Sequence, residues 1–214
     1  MGAEAGAGWQ GPGGGPDPLL RRVNLLRKLM HLAMAWLPAV GWLLSYRLAL
    51  ALAGVLVGAS LMVEVVRRHR PEVNRLLWRL LPSVFREWES RRVLGSTWFA
   101  LAALAALLLF GRDLGGTAIL FLAWGDAAAE LVGRRWGQAG QGKSLAGSLG
   151  CLIACLMGGL AGSGRGGLQP EVVLVGAAVA TLVERWSPPP DDNLWLPLLA
   201  GLAMEGVTCV QFGG

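Results

Sequence analysis

The sequence predicts an all-α polytopic membrane protein, with about seven transmembrane helices and one cytoplasmic amphipathic helix. Only 15% of the 214 residues are charged and 54% are apolar, whereas soluble domains carry roughly 25% charge. Mean hydropathy is +0.50. There are ten Trp against one Tyr, and Trp favours membrane–water interfaces. This composition excludes an ordinary soluble domain and equally a disordered, collagen-like or coiled-coil chain. Three cysteines are too few, and odd in number, for a disulfide framework. Cys151, Cys155 and Cys209 all sit in apolar runs and read as small buried hydrophobes. No Cys/His cluster has zinc spacing.

Along the chain, residues 2–16 hold seven Gly and two Pro. They lack the basic-then-apolar order of a signal peptide, so 1–20 reads as a disordered tail ahead of a single domain over 21–214. Apolar segments follow at 29–46, 47–66, 95–111, 114–133, 144–161, 169–186 and 193–211. Each is close to the roughly 17–20 residues a helix needs to cross a bilayer. Pro38 kinks the first segment, which membrane bundles tolerate. Between the second and third, Val73, Leu76, Leu77, Leu80, Leu81, Val84 and Phe85 recur at helical spacing among Arg75, Arg79 and Arg86. That is the pattern of a basic helix lying on an anionic leaflet.

The cations test the topology. With the N-terminus inside, sixteen of the nineteen Lys and Arg face the cytoplasm and only Arg47, Arg112 and Arg165 face the other side. This obeys the positive-inside rule and puts the C-terminus opposite. The net charge of +5 then reflects topology and substrate, not nucleic acid.

Ionisable groups inside spans are costly, at roughly 2.5–3.5 kcal/mol each on insertion scales. Asp126 and Glu130 share one helical face, which Arg134 continues by a turn. Glu64 ends the second segment within reach of Arg67 or Arg68, so an interfacial ion pair is one reading of it. Asp191 and Asp192 precede the last segment, where either could cap the helix. Glu184 ends the segment before, and His31 lies near Arg27 and Lys28. All fall on the cytoplasmic side. Small residues at Gly125, Ala129, Gly133 and Gly137 form a stripe along the Asp126 helix. Either a neighbouring backbone or a ligand can approach it. Arg134, Arg135, Lys143, Ser144 and Gly147 follow closely. Carboxylate, glycine and fixed cations are what a nucleoside triphosphate with its magnesium requires. No G-x-x-x-x-G-K-[ST] loop occurs, and Gly162–Gly167 reads as a flexible loop on the far side.

The order of these motifs resembles the CTP-dependent lipid kinases typified by dolichol kinase, phytol kinase and the CTP-using diacylglycerol kinase, relatives of CDP-diacylglycerol synthase. Asp126, Ala129, Gly133 and Gly137 match D-x-x-A-x-x-x-G-x-x-x-G, and Lys143, Ser144 and Gly147 match a following K-[ST]-x-E-G. Arg27-Lys28-x-x-His31, Glu64-x-x-Arg67, Leu94-Gly95-Ser96-Thr97 and Asp192-Asn193-Leu-x-x-Pro197 match flanking features. The likeness runs from about Arg27 to Gly201. Ala146 stands where many members carry Glu and Gly142 where a second Lys is common; Asp191, Asp192 or Glu130 would have to replace that Glu.

The resemblance implies transfer of the γ-phosphate of CTP to a membrane lipid alcohol, with an isoprenoid of the phytol or polyprenol type as the expected acceptor. Asp126 and Lys143 would be catalytic. Arg27, Lys28, His31, Gly125, Glu130, Gly133, Arg134, Arg135, Gly137, Ser144 and Gly147 would bind nucleotide, and Asp126, Asp191, Asp192 and Glu64 would hold Mg2+. A CTP-dependent diacylglycerol kinase or a CDP-diacylglycerol synthase-like cytidylyltransferase are the alternatives within enzymes. A secondary transporter is the alternative outside them, but the acids cluster at one face and no inverted repeat is visible.

Overall fold

The computed structural model describes residues 28–80, 92–137, 143–166 and 168–212. The expected tail 1–20, Arg27, Gly142 and the second half of the predicted amphipathic helix lie outside them. The described residues are helical, with no strand among them.

The first predicted segment is two short helices, α1 (28–33) and α2 (Trp36–Leu43), separated by a turn at 34–35. Pro38 explains the break. It has no N–H to give the Met34 carbonyl, which accepts from the Leu37 amide at 3.1 Å instead. Within the first turn of α2 that missing donor costs nothing. α3 (Tyr46–His69) follows, its N-terminus capped by Ser45, whose side chain accepts from the Leu48 amide at 3.5 Å. α4 (Pro71–Leu80) is the described part of the amphipathic helix.

α5 (Gly95–Phe110) ends at Gly111, whose φ of +72° suits glycine and stops the helix. The next run contains α6 (Gly116–Leu120) and α7 (Asp126–Trp136). Wide π-type turns at Gly111–Gly115 and Phe121–Gly125 precede each of them. A Cβ at Gly115 would lie 3.1 Å from the Leu107 Cα. In a continuous helix residues eight apart are separated by about 12 Å along the axis. The chain therefore folds back at Gly111, and α5 and the following run are antiparallel. α8 (Leu145–Gly166), α9 (Pro170–Trp186) and α10 (Asp192–Phe212) complete the bundle.

Among the described residues four helical stretches are long and apolar enough to cross a membrane: Tyr46–His69, Gly95–Trp136, Leu145–Gly162 and Asp192–Gln211. Length and hydropathy thus single out four stretches where seven spans are expected. The first segment is interrupted before Pro38. The third and fourth form one apolar stretch folded at Gly111, and the sixth, α9, has only 17 residues.

Packing relies on small residues. Ala49, Ala53, Ala102, Ala106, Ala118, Ala177, Ala180 and Ala200 are buried, and Phe110 and Met204 seat against Gly201 and Gly176. Small residues let backbones approach when lipid offers no hydrophobic drive to associate. α8 shows both faces of this arrangement. Cys151 and Cys155 point inward, while Leu149, Ile153, Met157 and Leu160 are exposed. α10 packs on α9 and α5, and α8 on α7 and α9.

Candidate active site

The buried charges gather at one end of the bundle, where α3 and α9 finish and α5, α8 and α10 begin. They form two ion-pair clusters and one supporting belt.

The first cluster surrounds Asp126. Lys28, 2% exposed at the start of α1, places Nζ 2.5 Å from Asp126 Oδ2 and 2.8 Å from Glu130 Oε2. His31, one turn along α1, brings Nδ1 to 3.3 Å from the same Asp126 oxygen, with its ring edge-on to Phe99. Arg134 closes the face, NH2 to Glu130 Oε1 at 2.6 Å. The i, i+4, i+8 spacing thus yields a ladder whose upper members reach water, while Asp126 is only 8% exposed. The wide turn Phe121–Gly125 immediately before Asp126 sets the rotation of this face.

The second cluster surrounds Lys143, just ahead of α8. Its Nζ lies 2.9 Å from Glu184 Oε1 and 3.0 Å from Asp192 Oδ2, and it donates to the Glu184 carbonyl. Burial alone lowers the Lys143 pKa. The Asp192 charge and the Glu184 hydrogen bond and charge outweigh it and hold the ammonium above its ordinary range. Ser187 donates to Asp192 Oδ2 at 2.8 Å, from a left-handed backbone with φ of 45°. The negative charge of Asp126 is felt at both Glu184 and Asp192, so the two clusters are electrostatic neighbours.

The supporting belt ties the helix ends together. Glu64 Oε1 accepts from Arg67 NH2 at 2.6 Å and pairs with Arg68 at 2.8 Å, and Oε2 accepts from Arg67 Nε at 2.9 Å and from the Leu94 amide at 3.5 Å. Arg67, itself 2% exposed, also donates to the Arg92 carbonyl. Asn193 Nδ2 donates to the Gly95 carbonyl at 3.5 Å, and the Asn193 amide donates to Asp191 Oδ1 at 3.0 Å. Asp191 thus serves the first turn of α10, and Glu64 holds α3 to the start of α5.

These placements bear on each expected site residue. Asp126, Glu130, Lys28, His31 and Arg134 come together, and Lys143 joins Asp192. Arg135 is exposed, and Arg27 lies outside the described residues. The glycine stripe is filled by α8. A Cβ at Gly147 would meet the Ala129 carbonyl at 2.7 Å, one at Gly133 the Ser144 hydroxyl at 3.1 Å, and one at Gly125 Cys155 Sγ at 2.7 Å. Gly137 abuts Ser144 too, and Ser144 itself accepts from the Gly147 amide at 3.0 Å. Of the two sequence readings of this stripe, close helix packing is the one the geometry realises. The expected metal set does not converge. Among the described residues no three His, Cys, Asp or Glu are grouped to hold an ion, because Glu64 is consumed by arginines and Asp191 by a backbone cap. The remaining carboxylates suit a cation that arrives on phosphate, as Mg2+ does, with one or two protein ligands.

Sequence reasoning placed Glu184 on the cytoplasmic side but gave it no role in the site, where it is the second carboxylate of the Lys143 cluster. Its signal was an acid in the last turn of an apolar helix, where the helix dipole disfavours one. It also left out Cys155, which donates to the Phe121 carbonyl at 3.7 Å and so supports the wide turn ahead of Asp126.

Comparison with known proteins gives three relatives, each named CTP-dependent diacylglycerol kinase 1. The one from Schizosaccharomyces pombe is 26% identical over 84% of this chain and 91% of its own length. The Eremothecium gossypii protein is 32% identical over 44% of this chain and 31% of its own. For Saccharomyces cerevisiae the values are 26%, 68% and 59%. No family model matches the chain, and no solved structure does. Similarity along most of the chain to one such enzyme, and along parts of it to two more, bears out the resemblance to the CTP-dependent lipid kinase family.

Proposed function

We propose that this protein is an integral-membrane kinase that moves the γ-phosphate of CTP onto the hydroxyl of diacylglycerol. The kinase class and the nucleotide rest on the three relatives, whose names also favour diacylglycerol over the isoprenoid alcohol expected from the sequence. The supporting observation from the structure is the pair of adjoining lysine–carboxylate clusters at one polar end of an apolar bundle.

In this reading the lipid enters from the bilayer side and its hydroxyl reaches Asp126, while the triphosphate lies over Lys143, Arg134 and Arg135. The Asp126 carboxylate takes the hydroxyl proton as the lipid oxygen bonds to the γ-phosphorus and the bridging P–O bond breaks, releasing CDP. Lys28 and His31 fix the Asp126 carboxylate, and Lys143 offsets charge on the phosphates. Asp126 and Asp192 would hold Mg2+ delivered with the nucleotide, which shields the phosphate charge. Positive-inside sorting puts this end in the cytoplasm, where CTP is available.

Purified protein incubated with CTP labelled at the γ-phosphate tests the reading, with diacylglycerol, phytol, farnesol and a polyprenol as acceptors. Label in phosphatidate with CDP as co-product is expected. Label only in a prenyl phosphate would move the acceptor back to the isoprenoids. Label released as pyrophosphate would make the enzyme a cytidylyltransferase, and no turnover of CTP would overturn the kinase reading.

A further inference from the structure

The amphipathic helix α4 plays no part in either ion-pair cluster. α3 spans 24 residues, about 36 Å at 1.5 Å per residue. That exceeds the roughly 30 Å hydrocarbon thickness, so its last turn emerges at the headgroups. There the chain turns through Arg70, in extended conformation, directly into α4.

None of the residues of α4 is buried. Around the helix, Val73, Leu77, Asn74 and Trp78 occupy a half-buried arc, and the opposite arc is exposed. That exposed arc carries Leu76 and Leu80, 53% and 67% exposed, beside Arg75 and Arg79, whose charges outnumber the one acid on it, Glu72. An arc turned to water would not present two leucines. Arg75 and Arg79 are i, i+4 like charges, which repel on an isolated helix, and neither has a carboxylate partner among the described residues. Acyl chains for the leucines and phosphates for the arginines satisfy both, with the arginine stems reaching up from an apolar depth.

We propose that the exposed arc of α4 seats on an anionic leaflet, with Leu76 and Leu80 below the phosphates and Arg75 and Arg79 among them. The cations and the depth at which α3 ends single out anionic lipid as the occupant. The proposal does not rest on the kinase reading.

The test uses the full chain with Cys209→Ala, since Cys151 and Cys155 are fully buried and escape labelling. Bimane is attached at Leu76→Cys, Leu80→Cys or Arg79→Cys. The protein is reconstituted in phosphatidylcholine vesicles with and without phosphatidylglycerol. Brominated acyl chains should quench the labels at 76 and 80 and aqueous iodide should quench the label at 79, with phosphatidylglycerol raising the bromolipid quenching severalfold. In an Arg75→Gln/Arg79→Gln background that rise should vanish while quenching in neutral vesicles persists. Iodide quenching at 76 and 80, protection there from both quenchers, or indifference to phosphatidylglycerol would each overturn the proposal, whether or not the protein transfers phosphate.

Discussion

Lys28 is the group whose removal the site should tolerate least. It is 2% exposed and stands 2.5 Å from one buried carboxylate and 2.8 Å from another. Lys28→Met keeps the stem and deletes the ammonium. Glu130 retains Arg134 at 2.6 Å, but Asp126, 8% exposed, loses its nearest cation. Breaking a buried pair in this way costs about 3–5 kcal/mol, because the stranded charge keeps its desolvation penalty. Neutralising the stranded partner removes that penalty, so Lys28→Met/Asp126→Asn should recover about 2 kcal/mol or more of the loss. The four proteins can be unfolded in mixed SDS–maltoside micelles and the double-mutant cycle closed. A single-mutant cost under about 1 kcal/mol, or two costs that simply add to within about 0.5 kcal/mol, would mean that Lys28 and Asp126 are not the coupled pair described.

Three further perturbations test the geometry. Gly125→Ala pushes a methyl against Cys155 Sγ at 2.7 Å and Cys151 Sγ at 3.0 Å; it should destabilise by about 1–3 kcal/mol, and Cys155→Ala should relieve part of that in the same unfolding assay. In the proposed reading Lys143→Gln removes a charged donor to the phosphates, and it should raise the KM for CTP about tenfold or more, at roughly 1.5–3 kcal/mol per charged hydrogen bond. Because the Lys143 pKa is raised in the fold, its stabilising contribution is complete below the unfolded value of about 10.4 and is lost only above the folded one. The stability gap between wild type and Lys143→Gln should therefore be flat from about pH 6 to 9, and a gap that shrinks across that range would contradict the pairing. The carboxylates Asp126, Glu130, Glu184 and Asp192 engage the cations Lys28, Arg134 and Lys143, which leaves those cations less able to offset a triphosphate without its metal. Chelation with EDTA should abolish CTP turnover and Mg2+ restore it, and full activity in EDTA would exclude a metal–nucleotide substrate.

Much of this arrangement is legible in the residues themselves. α3, α8 and α10 follow their apolar runs closely because length and hydropathy dictate a span. Asp126 and Glu130 stand out because acids in such a run need partners, and Glu64 with Arg67 and Arg68 because helical spacing brings them together. What stays hidden is tertiary. Lys28 meets Asp126 across 98 residues and Lys143 meets Glu184 across 41, and no local pattern encodes either pairing. The fold-back at Gly111 is masked by apolar sequence on both sides, and the break at 34–35 follows from a proline that membrane helices elsewhere absorb. The stripe of Gly125, Ala129, Gly133 and Gly137 reads from sequence as open to ligand or helix alike, and only the seating of α8 decides between them.

The most direct measurement concerns Asp126, the residue on which the nearby charges converge. Asp126→Asn preserves shape and hydrogen-bonding capacity while removing the charge and the basicity. Phosphate transfer from γ-labelled CTP to diacylglycerol should fall by about 10²–10⁴, the range of a lost general base, in protein shown by its unfolding profile to remain folded. Transfer at the wild-type rate by the folded Asn variant would contradict the assignment of this site.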